Sequence, residues 1–228
     1  MASTENFLLL IDGHFYNIVS KSFKLGGEKM VSLNYFKKNI IKELKAKYGH
    51  DFQCTRIFYY TAPPFQHNPP IEDESNKMSR YDLFKTYLKM QGVEIREGRT
   101  QRLSSKSSKI GEVRYAQKGV DTWIVMDMIL APSKYKVKKI VLVTSDTDFV
   151  PVIDRIKKVF GFRTLLFSYW DKNNEKFRLS YHLRAVSEDY FNMNKEFFKE
   201  EDIVSEQLKR KEEKEITKDV VKTTLEKS

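Results

Sequence analysis

Four aspartates are placed where they could do chemistry together. Asp12 stands at the end of the apolar run Phe7–Ile11, and Asp121 opens an apolar stretch that runs to Leu130. Asp146 and Asp148 follow the run Ile140–Val143. Carboxylates drawn together from distant parts of a chain repel one another unless a cation sits between them. The hard, oxygen-preferring ions are Mg²⁺ and Mn²⁺. Ions held this way can bind a phosphodiester, acidify a bound water and neutralise the charge that develops as the bond breaks. That chemistry needs no His or Cys nucleophile, which suits a chain with four His and one Cys. The single cysteine, Cys54, excludes an internal disulfide and a thiolate zinc site. Each acid also has an ordinary structural reading. Asp12 before Gly13 suits a turn, Asp121 and Asp148 suit helix caps, and Asp146 suits an Asx-turn. Chemistry is favoured because all four fall at the same structural edge.

That edge is set by the elements around them. Phe7–Ile11, closed by Asp12-Gly13, has the pattern of a buried parallel strand. Leu33–Tyr48 carries apolar residues at Leu33, Phe36, Ile40, Ile41 and Leu44 and stops at Gly49, which predicts a helix. Thr55–Thr61 is strand-like and Gln66–Glu74 reads as a loop. Lys77–Gln91 is a second helix and Val93–Arg99 a third strand. Thr100–Gly111, rich in Ser and Lys, reads as a basic loop or hairpin tip, and Glu112–Lys118 as an extended return. Asp121–Leu130 is a buried helix closed by Pro132, and Lys139–Thr144 is a central strand. Asp148–Phe160 is a helix with Pro151 in its first turn and Gly161 past its end. Arg163–Tyr169 is a strand, and Asn173–Met193 holds a short helix and an edge strand. Strands alternating with helices give an α/β fold with a parallel sheet flanked by helices. Ligands of such sheets bind beyond the carboxyl ends of the strands, where Asp12, Asp146 and Asp148 converge. Asp121 joins them if its helix starts at that edge.

Charge points to the same kind of partner. The 228 residues carry +10, and Lys195–Ser228 holds nine basic and ten acidic residues, which leaves +11 on the remainder. A basic folded part favours a polyanion, nucleic acid being the commonest. Arg96, Arg99, Arg102, Lys106, Lys109, Arg114 and Lys118 precede Asp121 and suit the backbone of a single strand, with Tyr115 able to stack on a base. The hydroxyls or backbone N–H groups of Thr144 and Ser145 are in place to touch the scissile phosphate. No apolar run is long enough for a membrane span or a secretory core, so a cytoplasmic protein is expected. Residues 1–194 are expected to form one domain. Residues 195–228 are expected to form a charged helical tail with a thin apolar stripe, a solvated helix or the seat of a homo-oligomer or protein partner.

Three segments in order, "LLLIDGHFYN", "QKGVDTWIVMDMI" and "VLVTSDTDFVPVI", resemble the NYN domain, a PIN-like ribonuclease family, with its LabA-like branch the nearest. The resemblance covers roughly residues 5–170. It implies a Rossmann-like, three-layer α/β/α fold with a mainly parallel sheet of about five strands. It implies Mg²⁺ or Mn²⁺ bound by the catalytic acids matching Asp12, Asp121, Asp146 and Asp148, and RNA as substrate. Asp127 matches a further acid of the second segment. Six residues beyond Asp121 puts it about 240° round the helix, so it reads as a buried structural carboxylate, with a metal ligand as the lesser alternative. Two departures stand out. Phe15 occupies the place of a family Asn, with Asn17 as the nearest substitute for substrate contact. Ser145 replaces a Gly beside Asp146. No acid is lost, so the sequence points to a metal-dependent endoribonuclease for single-stranded RNA. The alternative is a weak or inactive RNA-binding or adaptor protein on the same fold.

Overall fold

Phe7 to Ile11 are all fully buried, and they form the middle of the sheet. They belong to β1 (Glu5–Asp12), which pairs in parallel with β3 (Phe52–Thr61) on one side and β7 (Lys139–Val143) on the other. A computed structural model describes residues 4–25, 30–103, 114–172, 174, 177–178 and 180–201. Beyond β3 lies β4 (Val93–Glu97), and beyond β7 lie β8 (Arg163–Ser168) and β9 (Asp189–Asn192). The sheet order is β4-β3-β1-β7-β8-β9, and all five pairings are parallel. The sheet thus has six strands where about five were expected, the sixth being the predicted edge strand.

Helices cover both faces, so side chains alternate between two cores. Phe7, Leu9 and Ile11 pack with α1 (Gly13–Ser22), α2 (Leu33–Tyr48) and α3 (Glu72–Met90). Leu8 and Leu10 pack with α4 (Val120–Lys134), α5 (Val150–Phe160) and α6 (Tyr181–Val186). Each fully buried large apolar side chain contributes roughly 1.5–3 kcal/mol. Five in succession on β1 therefore outweigh the several kcal/mol of desolvation, in order of magnitude, that a carboxylate at the strand's end costs.

The chain leaves β1 towards β3 and later returns on the other side at β7, so the carboxyl ends of β1 and β7 flank a switch point, where open α/β sheets bind ligands. Two small antiparallel pairs complete the fold. β5 (Arg99–Leu103) pairs with β6 (Arg114–Lys118), and β2 (Met30–Val31) with β10 (Glu200–Glu201). Packed structure continues past Asn194. Lys195–Phe197 is a 3₁₀ turn, Phe197 and Phe198 are buried in the α1–α2 core, and β10 follows where a helix was expected. The rest of the expected tail, 202–228, lies outside the described residues. No helix among the described residues is long and apolar enough to cross a membrane.

Candidate active site

The end of β1 turns straight into α1 with no loop between them. Asp12 closes the strand and caps the helix: its Oδ1 accepts the N–H of His14 at 3.0 Å and of Phe15 at 3.2 Å. Only glycine permits the turn, because a Cβ on Gly13 would stand 2.5 Å from the Tyr60 carbonyl oxygen and 2.6 Å from the Tyr59 ring. The other oxygen of Asp12 accepts the Thr144 hydroxyl at 3.0 Å. Asp12 is 9% exposed, and burial raises its carboxyl above the ordinary value. The Phe15 N–H, the Thr144 hydroxyl and His14 oppose that rise, while the charge of Asp121 adds to it.

Thr144 directly follows β7 and is fully buried. Its Oγ1 donates to Asp12 and accepts the N–H of Asp146 at 3.2 Å, and its own N–H goes to the Phe167 carbonyl. Thr144 therefore does not reach a phosphate as expected from the sequence, since both its polar groups are spent on tying the two acids' segments together. Asp146 then caps a 3₁₀ turn, Thr147–Phe149, by accepting the Asp148 N–H at 2.9 Å. Ser145 and Asp146 are half-buried, and Asp148 is exposed. Asp121 lies in the first turn of α4, which starts behind Gly119 at φ 81°. Burial, then the charges of Asp146 and Asp148, raise its carboxyl above the ordinary range.

Asp12, Asp121 and Asp146 open into one cleft of about 740 Å³. Asp148 does not line it, although its charge is felt at Asp121. Among the described residues, no Lys or Arg pairs with any of these acids. Nor do three acidic, His or Cys side chains among them converge closely enough to form a ready-made cage for one ion.

The remaining candidates separate. Asn17 lines the cleft from α1, with its Oδ1 accepting the Tyr59 hydroxyl at 3.4 Å, whereas Phe15 is buried in the core. Arg99 and Lys118 are exposed and face each other across the β5–β6 hairpin. Arg102 lies next to His67, with Nη1 3.2 Å from its Nε2. Arg96 is not available to substrate: its Nε donates to Asp127 at 3.1 Å, and Nη2 reaches Glu94. Asp127 also accepts the Tyr60 hydroxyl at 3.0 Å, so it is the structural carboxylate anticipated from its place on the helix. The side chain of Arg114, with Lys106 and Lys109, lies outside the described residues.

Sequence reasoning did not single out His14, Lys77, Tyr81 or Gln117, all of which line the cleft. Lys77, Tyr81 and Phe84 stand at i, i+4 and i+7 on α3, a spacing legible in the sequence. What the sequence lacks is the knowledge that this face looks at Asp12.

A family model for the NYN domain matches residues 7–190. No curated protein matches the chain. Among solved structures, a protein of unknown function from Vibrio parahaemolyticus is similar at 16% identity and a TM-score of 0.54, covering 87% of this chain and all of its own, which speaks to the fold alone. MurG of Acinetobacter baumannii is 12% identical over 82% of this chain and 40% of its own, at a TM-score of 0.35, too unlike in shape to bear on either fold or function. The family match takes in all four acids with the two strand ends and the helix start that carry them, and the chain belongs to the NYN domain family, whose members share a PIN-like fold and are generally ribonucleases working with a divalent metal.

Proposed function

We propose that this protein is an endoribonuclease that hydrolyses phosphodiester bonds of single-stranded RNA with Mg²⁺ or Mn²⁺. Asp12, Asp121 and Asp146 hold the metal, and Asp148 adds negative charge from outside the cleft. The carrying observation is that three carboxylates from separate segments share one cleft and, among the described residues, none of them is ion-paired with a Lys or Arg, while two are raised by burial and by the charge of neighbouring acids. Carboxylates left without an ion-pair partner suit a cation. Its donors are oxygens, which suits Mg²⁺ or Mn²⁺ over zinc.

When bound, such an ion supplies Lewis-acid charge at the scissile phosphate and lowers the pKa of a water. The chain's own residues do the positioning. The Thr144 hydroxyl fixes the spacing between Asp12 and the Asp146 segment. Asp12 cannot swing away without uncapping α1. Asp121 makes no hydrogen bond with its carboxylate among the described residues, so it is free to meet ligand. Asn17, half-buried Ser145 and the basic hairpin residues Arg99, Arg102 and Lys118 serve the RNA backbone, as would Lys106, Lys109 and Arg114. The +11 balance outside the tail supports a polymeric substrate over a small phosphate ester.

A second reading, an RNA-binding protein without cleavage, draws on Asp12, both of whose oxygens already serve protein donors. Cleavage of single-stranded RNA in Mg²⁺, in Mn²⁺ and in EDTA separates the two. Asp121→Asn is expected to lower kcat by about a hundredfold or more without lowering the unfolding midpoint. RNA bound equally by both proteins and cut by neither in either metal would establish the binding protein instead.

A further inference from the structure

The cleft has a second wall that plays no part in holding the acids. It is the β5–β6 hairpin laid against the loop that follows β3. The pairings Thr100↔Gln117 and Arg102↔Tyr115 put these four side chains on one face, with Arg99 and Lys118 on the other. Thr100 pins that face to the loop through its hydroxyl, which donates to the Pro63 carbonyl at 2.5 Å. Thr100, Tyr115 and Gln117 line the cleft that holds the acids.

Tyr115 is 49% exposed, so much of its ring is open to a ligand. It leans on Phe65 with centroids 5.2 Å apart, and Phe65 meets His67 edge-on at 5.0 Å. His67 is itself fixed. Glu74, 6% exposed, accepts its backbone N–H at 2.9 Å and lies 2.7 Å from its Nδ1. The carboxylate therefore draws the ring proton to Nδ1, leaving Nε2 as the acceptor for Arg102. Arg96 has two carboxylate partners, whereas among the described residues no carboxylate pairs with Arg102. His67 orients the guanidinium through a ring nitrogen and brings no carboxylate oxygen to it.

A braced, half-exposed aromatic ring beside an oriented, uncompensated arginine suits a nucleotide whose base is unstacked. It does not suit a duplex, whose bases are already stacked on one another. We propose that this hairpin face is a nucleotide-binding subsite for single-stranded RNA. One base stacks on Tyr115, the Gln117 amide meets its edge, and Arg102, set by the His67–Glu74 pair, takes an adjoining phosphate. The identity of the polymer rests on the ribonuclease function proposed above, whereas the stacking contact does not require cleavage.

Anisotropy of a short end-labelled oligoadenylate RNA, in EDTA so that nothing is cut, tests the subsite on the full chain. Tyr115→Ala is expected to weaken binding about tenfold, while Tyr115→Phe, which keeps the ring, stays close to the parent. An abasic oligomer of equal length should bind parent and Tyr115→Ala alike. Arg102→Ala should weaken both oligomers and reduce the salt slope by about one ion. Tyr115→Ala binding like the parent, or losing equally on the abasic strand, overturns the subsite. Cleavage by the parent in Mn²⁺ is scored separately. Tyr115-dependent binding without cleavage removes the nuclease and keeps the subsite, whereas cleavage with Tyr115-independent binding does the reverse.

Discussion

Replacing Thr144 with valine removes one hydroxyl and leaves the volume of the side chain nearly unchanged. That hydroxyl is fully buried, donates to the Asp12 carboxylate at 3.0 Å and accepts from Asp146 N–H at 3.2 Å. A hydrogen bond to a charged group is worth about 1.5–3 kcal/mol and a neutral one about 1 kcal/mol, so Thr144→Val is expected to cost about 3 kcal/mol. For a chain of this size that is a fall of roughly 6–12 °C in unfolding midpoint. The cost depends on pH, with a sign that follows from Asp12. Its folded carboxyl is raised above 3.8, so as pH falls the folded state takes up the proton first. The charged carboxylate thus costs stability above the folded pKa, and acidification towards 3.8 relieves that cost. The Thr144 hydroxyl holds this carboxyl down, so valine lets it rise further. The deficit of Thr144→Val is therefore largest at neutral pH and narrows on acidification. Urea denaturation of parent, Thr144→Val and Thr144→Ser across this range measures it, and serine should recover most of the loss. A midpoint within about 2 °C of the parent at neutral pH, or a deficit independent of pH, would show that Thr144 is a packing residue only.

Other consequences are measurable in the same way. Saturating Mn²⁺, at about a hundred times its dissociation constant, should stabilise the parent by about 2.7 kcal/mol and Asp121→Asn by less, read as a shift in thermal midpoint; equal shifts would remove Asp121 from the metal site. Gly13→Ala forces a Cβ against the Tyr60 carbonyl and the Tyr59 ring, and should cost roughly 3 kcal/mol in urea denaturation. Arg96→Ala strips Asp127, 13% exposed, of its cation and should cost about 1–3 kcal/mol while leaving RNA cleavage per folded molecule unchanged. A loss of cleavage at constant stability would put Arg96 in the site after all.

Where local pattern and tertiary context agree, the fold could be read from the residues alone. Leu33–Tyr48 is a helix at both predicted ends because its apolar spacing, the Ser32 cap and the left-handed Gly49 all act locally. The two halves of the sheet's centre are legible for the same reason. Continuous apolar runs ending in Asp-Gly and Thr-Ser-Asp admit little else. α1 carries no such mark. Its cap, Asp12, is also the last strand residue, so the change from period two to period 3.6 occurs without punctuation. α3 begins at Glu72, inside the stretch expected to be loop, because Glu74 folds back onto the N–H groups of Ile71 and His67 and caps the helix from within. Pro132 was expected to close α4, but it lies in the last turn, where its missing N–H interrupts little, and the helix runs on to Lys134. Val93–Arg99 looks like one strand. The close approach of Gly98 to the Lys118 carbonyl oxygen, 2.4 Å from an added Cβ, divides it into β4 and β5. The four acids were visible as a set. Which of them is built into the scaffold and which stands free depends on long-range partners such as Thr144, 132 residues from Asp12.

The double duty of Asp12 bears on how related sequences should be sorted. A descendant that had abandoned chemistry would still need a short acceptor there to start its first helix and to receive a buried hydroxyl, so stability alone would preserve that aspartate long after catalysis was gone. Among the described residues the Asp121 carboxylate accepts no such hydrogen bonds, and its one scaffold role is a negative charge in the first turn of α4. Its loss, rather than the survival of Asp12, is what should mark a member of the lineage that no longer cuts.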